Sequence, residues 1–117
     1  MTITERTVGA VTILDVDGRI AVQDGASQFG ASVRHALHQG RINLVLDLEG
    51  VPYIDSTALG ELVRSSTTAM QMGGALKLLH AGERVCRLLT VAKLLSSFEV
   101  FDDEAQAVAS FGSVGTT

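Results

Sequence analysis

The sequence has no tryptophan, one tyrosine, one proline and one cysteine. A single thiol, Cys86, cannot close an internal disulfide, which fits a reducing compartment. Without tryptophan, and with only one tyrosine, there is no aromatic platform on which bases could stack. Basic charge is also sparse: the nine Lys and Arg residues are scattered and no two are adjacent. With a formal net charge of -4, that argues against nucleic acid as the main ligand, because phosphate binding needs clustered cations. No run of eighteen apolar residues occurs, so no membrane span is expected. The first residues, Met1 to Arg6, lack the basic-then-apolar pattern of a secretory leader, so a cytoplasmic protein is expected. His35, His38 and His80 lack metal-ligand spacing, and no calcium-loop pattern follows Asp102-Asp103-Glu104. No metal, cofactor or catalytic residue is therefore assigned. Cys86 reads as a half-buried apolar residue.

What is present is apolar patterning. Apolar residues make up 46 % of the 117, enough for one domain with a real core. Ile3–Val8 and Val11–Val16 read as strands joined at Gly9-Ala10 in a hairpin. In the second, Val11, Ile13 and Asp15 face one side and Thr12, Leu14 and Val16 the other. Asp24 is a plausible N-cap for a helix to about Gln39, with Phe29, Val33, Ala36 and Leu37 as its apolar stripe and Gly40 as its terminator. Ile42–Leu48 reads as a buried central strand. A second helix spans about Leu59 to Met72, with Leu59, Leu62, Val63 and Met70 inward and Glu61, Arg64, Ser65, Thr68 and Gln71 outward. Gly73-Gly74 stops it. Then come a strand at Ala75–Leu79, a helix over Glu83–Thr90 with Val85, Leu88 and Leu89 inward, and a strand at Phe98–Phe101. A last helix opens at Asp102-Asp103-Glu104, with Ala105, Val108 and Phe111 inward. The order β-β-α-β-α-β-α-β-α predicts an α/β fold: a mixed sheet of about five strands, with an N-terminal hairpin, covered by about four helices. The domain is placed at residues 1–112 and a flexible tail at 113–117.

The candidate site is Asp55-Ser56-Thr57, where the central strand hands over to the second helix. Helix starts carry backbone N–H groups without intrahelical partners, so this is an address for binding or modification. Three readings stand side by side. The triplet can simply cap the helix. Ser56 can be a nucleophile, although Ile54 and Ala58 occupy the positions where a nucleophile elbow has glycine. Or Ser56 can accept a phosphate, which gains from the helix dipole and is opposed by Asp55.

Ile42 to Gly60, a strand, a bend and Asp-Ser-Thr-Ala-Leu-Gly, resembles the signature of STAS domains, and within them the bacterial anti-sigma factor antagonists. Gly73-Gly74 with Ala75–Leu79, the Val85–Leu95 segment, and Phe98–Ala107 extend the resemblance over nearly the whole chain. The resemblance implies a non-enzymatic module of transcription regulation that binds an anti-sigma factor which is also a serine kinase. It implies that this partner phosphorylates Ser56, that phosphorylation breaks the complex, and that a serine phosphatase restores it. Asp55, Ser56, Thr57, Ala58 and Leu59 would then form the partner-binding stretch. Two segments depart from the family pattern. Ala58 stands where the family has glycine, and Gly18-Arg19-Ile20-Ala21 replaces a Gly-Glu-Leu-Asp segment whose last acid aids recognition. Asp24 is a nearby substitute for that acid. The alternative function is a phosphorylation-independent STAS docking module in a stress-sensing or lipid-transport assembly. A homo-oligomer has no support in the sequence.

Overall fold

The computed structural model describes residues 1–23 and 25–115. Five strands, β1 (Thr2–Val8), β2 (Val11–Asp17), β3 (Asn43–Gly50), β4 (Ala75–Leu79) and β5 (Val100–Phe101), lie side by side in sequence order. β1 and β2 form an antiparallel hairpin in which Val8 faces Val11 across a turn with Gly9 at φ 60. The remaining pairs are parallel, with Leu14 beside Leu46, Leu46 beside Leu78 and Leu78 beside Val100. Four helices connect or follow the strands: α1 (Ala26–His38), α2 (Ser56–Gln71), α3 (Glu83–Val91) and α4 (Glu104–Gly115). The expected mixed five-stranded sheet with four helices is thus what forms.

The strand order dictates the layers. The crossovers from β2 to β3, β3 to β4 and β4 to β5 all advance in one direction. Right-handed crossovers then put α1, α2 and α3 on one face. There Leu14, Leu44, Leu46 and Leu78 meet Phe29, Val33 and Leu37 of α1, Leu62 of α2 and Val85 and Leu89 of α3. α1 and α2 approach at Gly30, where a Cβ would collide with the Glu61 carboxylate, which is held by Arg34 Nη1 at 2.8 Å. On the opposite face, among the described residues, α4 alone covers the sheet, over Val11, Ile13, Val45 and Leu79. Polar contacts fasten it. Lys77, buried in β4, donates from Nζ to Ser110 Oγ at 2.8 Å, pairs with Glu99 Oε2 at 3.0 Å, and lies over the Phe111 ring at 4.3 Å. Arg6 of β1 bridges Asp15 of β2 (Nε to Oδ2, 2.6 Å) and Glu104 of α4 (Nη1 to Oε2, 2.9 Å).

Several element boundaries and faces differ from the sequence expectation. α2 starts at Ser56, one turn early, and buries Ala58, Leu59, Leu62, Ser65 and Ala69. Ser65 is therefore inward and Met70, 68 % exposed, is outward. The real stripe favours small residues, which let α2 lie close to its neighbours, and an apolar count misses that. α1 begins at Ala26 behind Gly25, and the expected cap Asp24 lies outside the described residues. β5 has only two residues. Phe98 is buried ahead of it, after a 3₁₀ turn at Leu95–Ser97. In α4 the buried alanine is Ala107, while Ala105 is exposed. The α4 backbone continues through residues placed in the tail as far as Gly115, and residues 116–117 lie outside the described residues.

Glycine closes two helices by the same device. At the end of α1, Gly40 (φ 92) donates to Leu37 O and Arg41 N–H to Ala36 O, the double bond of a Schellman end. At the end of α2, Gly73 (φ 88) donates to Met70 O and Gly74 to Ala69 O. Gly74 also lies so near Ile42 O that no Cβ would fit. α3 ends identically, but there Lys93 occupies the left-handed position at φ 60.

Candidate functional site

After β3 the chain bends at Val51-Pro52, with Val51 N–H bonded to Leu48 O at 2.9 Å. It then runs beside the segment following β2. Gly18 N–H donates to Gly50 O, Ile20 N–H to Tyr53 O and Asp55 N–H to Ile20 O, at 2.8, 3.0 and 3.2 Å. Two loops from different crossovers are thereby stitched together at the carboxyl ends of β2 and β3, where open parallel sheets gather their functional loops.

Asp55 completes that seam. It is the N-cap of α2, in extended conformation. Its Oδ1 accepts the Ala58 N–H at 2.9 Å, and its Oδ2 accepts the Val22 N–H at 2.8 Å. One carboxylate thus caps the helix and anchors the neighbouring loop. The Ala58 N–H, more than the Val22 and Thr57 amides, holds this carboxyl below its ordinary value of 3.8, against the opposing effect of desolvation.

The cap at Asp55 sets the phase of everything after it. Ala58 (1 % exposed) and Leu59 (7 %) turn into the core. Ala58 packs beside Ile20, Phe29, Leu48, Ile54 and Leu62, so its methyl group serves the interior. Ser56 and Thr57 are left on the surface. Of the stretch assigned to partner binding, then, the structure brings Asp55, Ser56 and Thr57 to the exterior and withdraws Ala58 and Leu59. Asp24 lies outside the described residues. The Ser56 hydroxyl makes no hydrogen bond to another described residue.

Ser56 lines an open groove of about 450 Å³. Tyr53, Ile54 and Asp55 form one wall with it; Arg84, Arg87, Leu88 and Val91 of α3 form the other. Val91 is 75 % exposed, and the Arg19 guanidinium lies over the Tyr53 ring at 5.3 Å. The groove thus joins a free hydroxyl at a helix start, an apolar floor and two guanidinium groups. That combination suits an anion or a peptide with acidic and apolar groups. None of His35, His38 or His80 lines it.

Arg84 and Arg87 are the site residues that sequence reasoning missed. On a short helix two exposed arginines carry no signal of their own. Only the β4–α3 crossover sets them across from Ser56. Cys86, between them in sequence, is half-buried, with Sγ 3.7 Å from Ala81 O.

The family model described as the STAS domain matches residues 2–107. Thermotoga maritima TM1081, described as a candidate anti-sigma factor antagonist, superposes with a TM-score of 0.87 at 25 % identity, over 93 % of each chain. An anti-sigma factor antagonist from Mycobacterium paratuberculosis superposes at 0.83 with 18 % identity, over 94 % of this chain and 92 % of that one. The phosphorylated form of the Bacillus cell-fate determinant SpoIIAA superposes at 0.72 with 15 % identity, over 92 % and 97 %. No curated protein sequence matches the chain.

Proposed function

The chain belongs to the STAS domain family, and from that premise we propose that it is a cytoplasmic anti-sigma factor antagonist. It docks an anti-sigma factor that is also a serine kinase, through the surface around Ser56. Phosphorylation of Ser56 releases it, and a serine phosphatase resets it.

The observation that carries this reading is the division of labour between Asp55 and Ser56. Asp55 caps the helix start through the Ala58 N–H, so Ser56 is not needed as a cap. Its hydroxyl stands exposed at the first helical position and lines a groove. A phosphate there would meet unpaired N–H groups and the positive end of the α2 dipole. In a docked complex the same dianion would be stripped of water, at a cost the interface contacts would have to exceed. Release follows from that cost, and this chain needs no catalytic step of its own.

Incubation with ATP and the serine kinase encoded nearest in the source genome, followed by intact-mass measurement, is expected to show one added phosphate that is lost in Ser56→Ala. Ser56→Asp is expected to weaken the complex with that kinase at least tenfold, about 1.4 kcal/mol.

One observation favours a second reading. The segment facing the site carries Arg19 and the buried Ala21 where an acid would aid phosphorylation. Unchanged affinity in Ser56→Asp, with no phosphate added by any candidate kinase, would make the chain a phosphorylation-independent docking module, as in a stress-sensing or lipid-transport assembly.

A further inference from the structure

Two guanidinium groups line a groove whose other polar occupants do not use them. Arg84 makes no ion pair with another described residue. Among the described residues Arg87 reaches only Glu83 Oε1, at 3.1 Å, and both side chains of that pair are largely exposed, so it holds Arg87 weakly. The nearest acid in the groove is Asp55, and its two oxygens are engaged by the Ala58 and Val22 amides. Arg84 and Arg87 stand at i and i+3 on α3, which puts them on one face of that helix. They line the same groove as Ser56.

We propose that Arg84 and Arg87 are the intramolecular receptor for phosphate on Ser56. The proposal rests on Ser56 being the acceptor, as argued above, and adds where the phosphate goes. Arginine suits this task because its planar fork donates two parallel N–H bonds to a phosphate. Two such groups balance the charge of one dianion and offset the repulsion from Asp55. The contact spans two elements, with Ser56 on α2 and the arginines on α3. In the phosphorylated form it draws the walls of the groove together over Ile54 and Leu88. The phosphorylated protein is thus switched off in two ways: a dianion stands at the docking surface, and the arginines and apolar floor that a partner would use are occupied.

The test installs phosphoserine at position 56 during translation, so that no kinase is involved. The second ionisation of the phosphate is followed by ³¹P NMR in the otherwise wild-type chain, in Arg84→Gln/Arg87→Gln and in Arg84→Lys/Arg87→Lys. A free phosphoserine ionises near pH 6. Neighbouring cations favour the dianion, so the value is expected to fall by roughly one unit in the wild-type background. It should return in the double-Gln chain and lie between in the double-Lys chain. Amide exchange in α3 should slow on phosphorylation only where the arginines are present. Equal ionisation in the wild-type and double-Gln backgrounds would overturn the receptor. Both arginines are exposed, so the variants are expected to fold, and circular dichroism checks that they do. The outcomes separate cleanly. A kinase that never modifies Ser56 would sink the switch and leave this result standing; equal ionisation would sink the receptor and leave the switch standing.

Discussion

Asp55 joins two loops with one carboxylate, and its removal should be felt at both. Asp55→Ala loses the cap on Ala58 and the bond to Val22 and is expected to cost about 1–2 kcal/mol in urea unfolding. The charge matters as well as the shape. The folded-state pKa of Asp55 is lowered from 3.8, so its contribution is present above that value and lost as pH falls through the lower folded one. Asp55→Asn keeps a capping oxygen but not the charge, and should flatten the stability profile in that acid range. Lys93 makes the opposite case. It holds a left-handed conformation at the end of α3 that glycine adopts without strain, as Gly40 and Gly73 do at the ends of α1 and α2. Lys93→Gly is expected to raise stability by about 1 kcal/mol, read as a higher urea midpoint at an unchanged slope. At this scale the junction that carries Ser56 was legible in the sequence, because Asp-Ser-Thr before an apolar helix is a local pattern. The arginine side was not. Arg84 and Arg87 acquire meaning only through a groove they share with a segment far from them in the chain.

Among the elements, α4 depends most on a few contacts. Among the described residues it is the sole helix on its face, and a buried ammonium lies beneath it. Lys77 bonds Ser110 and Glu99 and stacks on Phe111. Truncation and isosteric replacement should therefore differ. Lys77→Ala leaves a void under α4 and is expected to cost about 2–3 kcal/mol. Lys77→Met fills the space, and Ser110 Oγ keeps its bond to Ala107 O, so the variant should unfold within about 1 kcal/mol of the parent. Urea titration of both against the parent decides the matter. The elements were mostly readable because strand and helix periods alternate without ambiguity from β2 to α3. The errors share one cause. Ser65 and Ala69 are buried by close approach to neighbouring elements, and Met70 is exposed although apolar. Size at a packing contact, as well as hydropathy, decides which residues of α2 turn inward. β5 was overestimated for a related reason: Phe98 is buried by packing and is not part of the ladder.

Across the whole molecule, the ionisable groups with shifted values set a window of stability. Glu61 beside Arg34, and Glu104 beside Arg6, are held below their ordinary 4.5, as Asp55 is below 3.8. Their contributions are present above those ordinary values and fade as pH falls through the lower folded ones. His80 is shifted the other way. Burial opposes its charge, but the hydrogen bond to Asp47 and the carboxylates of Asp47 and Glu49 outweigh it and raise the ring above 6.5. Its contribution is complete below 6.5 and lost as pH rises through the raised value. Thermal midpoints should therefore be highest between about pH 4.5 and 6.5, and His80→Gln should remove the decline on the alkaline side.

The sequential order of the sheet has a consequence for synthesis. Domains fold as units, and α4, which covers one face of the sheet, is the last element to leave the ribosome. The two walls of the groove are made at different times. A nascent chain that has released α2 but not α3 presents Ser56 without Arg84 and Arg87. Any kinase or partner that requires both walls would ignore the unfinished protein and act only on the completed one.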